Sequence, residues 1–162
     1  DIVSLRKETE RLSGGRPVLL SQTRTTAIRP LNEVRIKSVA PELLTHPSSL
    51  IPHPSFPQPI AAFCAVGNPS AFFTHLRSDR YELSYTRAFP DHYIYQQTDV
   101  DALVVEAKRA GARALLTTAK DAVKLRALNF DLPCYVLEIG LEFDDEETLM
   151  GMILEAIEKR SA

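Results

Sequence analysis

Cysteine is nearly absent. Cys64 and Cys134 are the only two in 162 residues, and each sits inside an apolar run that reads as a buried strand. That excludes a disulfide framework and fits a reducing cytosol best. No stretch approaches the roughly 18 apolar residues that a spanning helix needs, and the N-terminus lacks the basic-then-apolar pattern of a leader. The expectation is a soluble chain, at most peripheral to a membrane. An excess of one charge is also missing: 19 Lys and Arg stand against 21 Asp and Glu, a formal net charge of −2. Such a balance argues against the broad basic field that holds a protein to nucleic acid.

What is present is enough apolar material, 44%, for a proper core in one domain, or in one domain plus a remnant of another. The chain opens at Asp1 directly into a helical segment that closes at Arg11-Leu12-Ser13-Gly14-Gly15, followed by the apolar run Pro17-Val18-Leu19-Leu20. A helix and a strand with nothing before them read as the tail of a larger α/β domain, which sets residues 1–22 apart. From Ser21 to about Pro59 the chain is proline-rich, and it reads as a connector with one strand expected over 33–39. His46 and His53 lie in that connector as solvated side chains, because their spacing without cysteine or carboxylate companions is a poor metal motif. No metal ligand set is expected anywhere.

From Ile60 short apolar runs alternate with amphipathic helices, the signature of a parallel sheet with crossover helices. Strands are expected over 60–66, 81–86, 112–117 and 135–139. Asn68 caps a helix with Pro69 in its first position. Thr98 with Asp101, and Thr118 with Asp121, form capping boxes, and Gly111 closes the helix that starts near Thr98. A last helix is expected from about Asp144, with Leu149, Met152, Ile153, Ala156 and Ile157 as its buried stripe. The fold class is therefore α/β, a three-layer sandwich around a mostly parallel, Rossmann-like sheet over 59–162, preceded by a linker over 23–58 and the remnant of an upstream domain.

One segment is not explained by folding alone. Arg87-Ala88-Phe89-Pro90-Asp91-His92-Tyr93-Ile94-Tyr95 brings a cation, a carboxylate, an imidazole and two phenols into a proline-broken loop. Pro90 fixes its own backbone and extends Phe89, which aims Asp91 and His92 outward. In a parallel sheet the loops after the strands share one edge, where ligands bind. Gly67-Asn68-Pro69, the loop from Arg87 to Tyr95, and Thr117 to Lys120 converge there.

Those elements, in this order, resemble the C-terminal half of the tetraacyldisaccharide 4′-kinase family, the lipid A 4′-kinases of Gram-negative bacteria. Ala65-Val66-Gly67-Asn68-Pro69 corresponds to the family's G-I-G-N-P turn, Arg87 through Tyr95 to R-A-F-P-D-H-x-x-Y, and Thr117 through Leu125 to T-T-E-K-D-A-V-K-L. The resemblance covers nearly the whole chain, more weakly before Ile60. It implies a fold related to the P-loop NTPases and transfer of the γ-phosphoryl of ATP, with Mg²⁺, to the 4′-hydroxyl of a tetraacyldisaccharide 1-phosphate, the lipid A precursor. It implies work at the cytoplasmic face of the inner membrane, as a peripheral protein. The nucleotide-binding half of that family carries a G-x-x-x-x-G-K-[ST] loop, which this sequence lacks; Gly14-Gly15-Arg16 has neither the second glycine nor the Lys-Ser/Thr pair.

The resemblance therefore implies that residues 1–22 end a nucleotide-binding domain, with which the rest of the chain partners, and that the isolated chain is inactive. His92 is the candidate catalytic group, since imidazole is the side chain that ordinarily changes charge near neutral pH. Asp91 would orient it or bind a cation. Asn68, Thr117, Thr118 and Lys120 are the candidate nucleotide or phosphate contacts. Ala119 departs from the family pattern, which has glutamate there. Plainer readings stand beside these: Asn68-Pro69 as a helix cap, Thr118-Asp121 as a capping box, Asp91-His92 as a solvated turn. The alternative function is a non-catalytic α/β module that binds a nucleotide or phosphate, or serves as an interaction surface.

Overall fold

The computed structural model describes residues 1–33 and 56–161. The strand expected over 33–39, and His46 and His53, lie outside the described residues except for position 33, which ends a short 3-10 turn, Leu31–Glu33. Two compact units divide the chain: Thr25–Glu138, and Asp1–Arg24 together with Ile139–Ala162.

Thr25–Glu138 is built on strands β2 (Ile60–Cys64), β3 (Leu83–Ala88) and β4 (Ala114–Thr118), with helices α2 (Pro69–Ser78), α3 (Gln97–Arg109) and α4 (Ala119–Leu125) between and after them. Strand β1 (Ser21–Pro30) precedes them and β5 (Cys134–Phe143) follows, giving the sheet order β1-β5-β4-β2-β3. Pairing is parallel from β3 through β2 and β4 to β5. All five residues of β2 are fully buried, as a central strand covered on both faces requires.

Side chains alternate between two cores. Ala61, Phe63, Leu115 and Val136 face α3 and α4, meeting Val100, Leu103, Val104, Ala107, Ala122 and Leu125. Ile60, Ala62, Ala114, Leu116 and Leu137 face α2, meeting Leu76, Phe72 and Phe73. This is the three-layer α/β sandwich expected. The connection from β2 moves one strand outward to β3, whereas that from β3 returns across β2 to β4. Right-handed crossovers then place α2 and α3 on opposite faces.

Several expectations shift. The stretch from Ser21 reads as connector, yet residues 21–30 form a strand, because Thr23, Thr25, Thr26 and Ile28 supply β-branched residues and Thr25 turns into the fold at 7% exposure. The run 17–20 is not itself a strand. Helix α3 begins at Gln97, as close to Thr98 as expected, but its capping pair is Gln96 with Asp99 and not Thr98 with Asp101: Asp99 Oδ2 accepts the Gln96 N–H at 2.8 Å. Gly111 closes α3 at φ +81°, as expected of a residue free of a Cβ.

In the unit formed by Asp1–Arg24 and Ile139–Ala162, α1 (Ile2–Leu12) is capped by Asp1, whose Oδ1 accepts the Val3 N–H at 3.1 Å. Asp144 binds Arg6 at 2.6 Å and the Leu20 N–H at 2.9 Å. Helix α5 (Glu146–Ser161) starts after Asp145, which accepts the Thr148 N–H at 2.9 Å and is held below the usual carboxylate range by that bond. Its expected buried stripe is a correction. Met152 and Ile153 are each 42% exposed, and no residue of α1 is buried. Apolar residues occur around α5 at consecutive positions, Met152, Ile153 and Leu154, so no single face collects them.

Candidate functional site

Parallel β3, β2 and β4 end on a common edge, and β2 and β4 are neighbours whose outgoing connections run in opposite directions. That is the topological switch point of an open α/β sheet, where a crevice forms between the two loops. The sequence-derived candidates lie around it.

The turn after β2 exposes Gly67 and Asn68. Asn68 caps α2, its Oδ1 accepting the Ala71 N–H at 3.1 Å, with Pro69 opening the helix. The capping role of this pair is thus present in the geometry. A Cβ built on Gly67 would stand 3.4 Å from Asp91 Oδ2, so this turn abuts the loop after β3.

That loop is bound to the sheet by the Phe89 N–H, which donates to the Cys64 carbonyl at 2.8 Å. It then turns through His92, whose φ of 59° is left-handed, a conformation few non-glycine residues adopt. Asp91 Oδ1 accepts the His92 backbone N–H at 3.0 Å, which holds that turn. Asp91 Oδ2 lies 3.7 Å from His92 Nε2, and the imidazole is 79% exposed. Beneath it the rings of Phe89, Tyr93 and Tyr95 pack at centroid distances of 5.0 to 5.5 Å, while Arg87 lies over Phe89 at 4.6 Å. The Tyr93 hydroxyl reaches Asp99 at 3.2 Å. The loop therefore has an aromatic floor and a polar, outward-facing crest.

After β4, Thr117 is fully buried, and its hydroxyl has no hydrogen-bond partner among the described residues. Thr118 caps α4: its Oγ1 accepts the Asp121 N–H at 3.2 Å and donates to Asp121 Oδ2 at 2.8 Å. Lys120 is exposed at the start of α4. Of the three phosphate candidates here, Lys120 alone faces solvent freely, Thr117 being enclosed and Thr118 committed to its cap.

Sequence reasoning left Asp121 as a capping residue and gave it no further part. Its carboxylate is fully buried; Oδ2 also accepts the Ala65 N–H at 3.0 Å, joining the ends of β2 and β4 across the switch point. Lys124 Nζ lies 3.7 Å from Oδ1. Burial, and then the charge of Asp121, push the Tyr95 phenol well above its ordinary range. The only sequence signal was the capping spacing, which accounted for Asp121 without requiring its burial. A cavity of about 790 Å³ opens elsewhere, at the start of β5, lined by Leu31, Phe130, Leu132 and Cys134 among others, and it holds none of the candidates.

Among the described residues, no group of three or more His, Cys, Asp or Glu is arranged to hold a metal ion. None of their helices is long and apolar enough to cross a membrane. Cys64 and Cys134 are free thiols, as expected.

Comparison with known proteins now bears on this geometry. The model of the family described as tetraacyldisaccharide-1-P 4′-kinase matches residues 4–158. A tetraacyldisaccharide 4′-kinase of Bradyrhizobium sp. (strain ORS 278) is 37% identical over 99 residues, 59% of this chain and 29% of that protein. One of Methylobacterium sp. (strain 4-46) is 47% identical over 70 residues, 43% of this chain and 21% of that protein. The chain spans under a third of the length of such relatives and aligns with their C-terminal part. Among solved structures, the crystal structure of "apo" form LpxK from Aquifex aeolicus in complex with ATP superposes with a TM-score of 0.52 at 19% identity, over 87% of this chain and 36% of that one. At that identity the likeness speaks to the fold.

Proposed function

The chain belongs to the tetraacyldisaccharide-1-P 4′-kinase family, and on that basis we propose that it is the C-terminal part of a kinase that moves the γ-phosphoryl group of ATP to the 4′-hydroxyl of a tetraacyldisaccharide 1-phosphate. The observation that carries this reading is the Asp91-His92 turn, with an exposed imidazole held at the strand-end edge beside Gly67.

ATP and Mg²⁺ are held by the preceding part of the longer protein. The sequence has no phosphate loop, and no metal-ligand group exists among the described residues. This chain's residues do not fit the metal or the triphosphate as a set, so its contribution is to the acceptor side of the cleft. There His92 hydrogen-bonds the acceptor hydroxyl, or the acidic group that takes its proton, as the new P–O bond forms. Asp91 fixes the ring by holding the backbone beneath it. Lys120 and Asn68 stand on the same edge, where an exposed ammonium and a carboxamide contact phosphate oxygens once the cleft closes.

The unit of Asp1–Arg24 and Ile139–Ala162 completes the nucleotide-binding domain in this reading. Its exposed apolar side chains, Leu5 at 66% and Leu154 at 55% among them, support that assignment. The parent protein works peripherally at the cytoplasmic face of the inner membrane, where its acylated substrate resides. The isolated chain transfers no phosphate.

The test is a 4′-kinase assay on the full-length parent, with and without His92→Ala. A loss of about 10²–10⁴-fold supports the acid–base role. An intact parent without 4′-kinase activity sinks the functional reading, and an active His92→Ala variant reduces His92 to a turn residue. ATP-dependent product from the isolated chain would overturn its assigned dependence on the missing part.

A further inference from the structure

We propose that Asp121 is the positioning residue of the site: one buried carboxylate that keeps the Gly67-Asn68 turn, the His92 loop and the start of α4 in register. The proposal rests on the reading of that edge as functional, and it adds a residue that makes no contact with solvent or substrate.

Two routes lead from Asp121 to His92. Along the first, Oδ2 accepts the Ala65 N–H at 3.0 Å, just where β2 ends. Two residues later Gly67 meets Asp91, whose Oδ2 is 3.4 Å from the position of a Cβ on Gly67. Asp91 in turn accepts the His92 N–H at 3.0 Å. Along the second route the partner is Tyr95, whose ring packs on Phe63 of β2 at 5.9 Å and whose hydroxyl, like Asp121 Oδ1, is buried with no hydrogen-bond partner among the described residues; burial and then the charge of Asp121 push its phenol up. The Tyr95 ring stands 5.0 Å from Phe89 and 5.5 Å from Tyr93, which flank Asp91 and His92 on the two sides of the turn. Both routes converge on one exposed imidazole. A second bond, from Thr118 Oγ1 at 2.8 Å, ties the same carboxylate to the end of β4 and so to Lys120.

Chemistry favours a carboxylate at this point. A backbone N–H at the mouth of the crevice needs an acceptor once water is excluded. A carboxylate can satisfy it and the Thr118 hydroxyl with one oxygen while the other faces Lys124 Nζ at 3.7 Å. An apolar residue would strand Ala65 and Thr118 together and uncouple the two strand ends.

The experiment is solution NMR on the full-length parent, comparing the unsubstituted protein with Asp121→Leu and Tyr95→Phe. In Asp121→Leu, volume is roughly kept and both acceptor oxygens are removed. The expected result is displaced His92 ring resonances, displaced Gly67 and Asn68 amides, and an Ala65 amide that loses about ten- to a hundredfold of its exchange protection. The His75 ring on α2 serves as the control and stays unmoved. Tyr95→Phe should displace the His92 ring while leaving Ala65 protection intact, because it interrupts the second route alone. A folded Asp121→Leu protein with unmoved His92 and Gly67 signals overturns the proposal. Should that variant not fold, an unmoved His92 ring in Tyr95→Phe overturns it instead. No turnover is read, so this outcome is separable from that of the kinase assay.

Discussion

The Thr25 hydroxyl lies 2.9 Å from His75 Nε2 and 2.5 Å from Asp79 Oδ2, so one buried side chain on β1 holds both ends of the last turn of α2. The carboxylate can only accept, so Thr25 gives it the proton and takes a hydrogen bond from His75 in return. Thr25→Val keeps the volume but removes the hydroxyl that bridges His75 and Asp79, leaving them only each other at 3.4 Å, and it should destabilise the chain by about 1–3 kcal/mol. Thr25→Ser should recover most of that. Urea unfolding, read as the midpoint at unchanged slope, measures it; equal midpoints for Val and Thr would show that the cluster contributes nothing net.

Cys64 predicts an alkaline weakness. Burial, with Asp121 nearby, pushes its thiol up from 9.0 to about 11. The folded chain therefore keeps a proton that the unfolded chain releases. The associated stability is fully present below pH 9 and is lost as pH rises toward 11. Two units correspond to a change on the order of 2–3 kcal/mol. Tyr81, raised to about 12 by burial and by Asp79, extends the decline to higher pH. Unfolding free energies from pH 8 to 11 should fall for the parent sequence and stay flatter for Cys64→Ala, even if that variant starts lower.

How far this was legible in the sequence depended on the range of the interaction. The crossover pattern, Asn68 as a cap and the convergence of three loops follow from local periodicity and parallel topology, and the structure has them. Asp121 shows the limit: Thr118 and Asp121 are three residues apart and announce a cap, whereas the bond to Ala65 spans 56 residues and has no local signature. The Thr25 cluster was hidden likewise, since it joins residues 50 and 54 apart. In β1, nearby proline content masks the β-branched Thr23, Thr25 and Thr26, so the sequence reads as connector where the structure has a strand.

Helix α5 supplies a third prediction. Ile153 is 42% exposed, so Ile153→Lys should change the stability of the isolated chain by no more than about 0.5 kcal/mol. A stripe packed into a core would respond quite differently, since burying an unpaired ammonium is far more costly. The same substitution in the full-length parent should be clearly destabilising if α5 completes the nucleotide-binding domain. Thermal melts of both proteins, with and without the change, decide this; equal tolerance in the two would remove α5 from that domain.

The division of labour between Asp91 and His92 can be separated by chemistry. Asp91 Oδ1 holds the His92 N–H at 3.0 Å, and with it the left-handed turn at φ 59°. Asparagine offers an acceptor oxygen in the same place; alanine offers none. If Asp91 acts by orienting the ring, Asp91→Asn keeps most of the 4′-kinase activity of the full-length parent, and Asp91→Ala falls toward His92→Ala, about 10²–10⁴-fold down. The double variant Asp91→Ala, His92→Ala should then be no worse than His92→Ala, because the two residues act as one unit. An Asp91→Asn variant as impaired as Asp91→Ala would instead assign a direct role to the negative charge 3.7 Å from the imidazole.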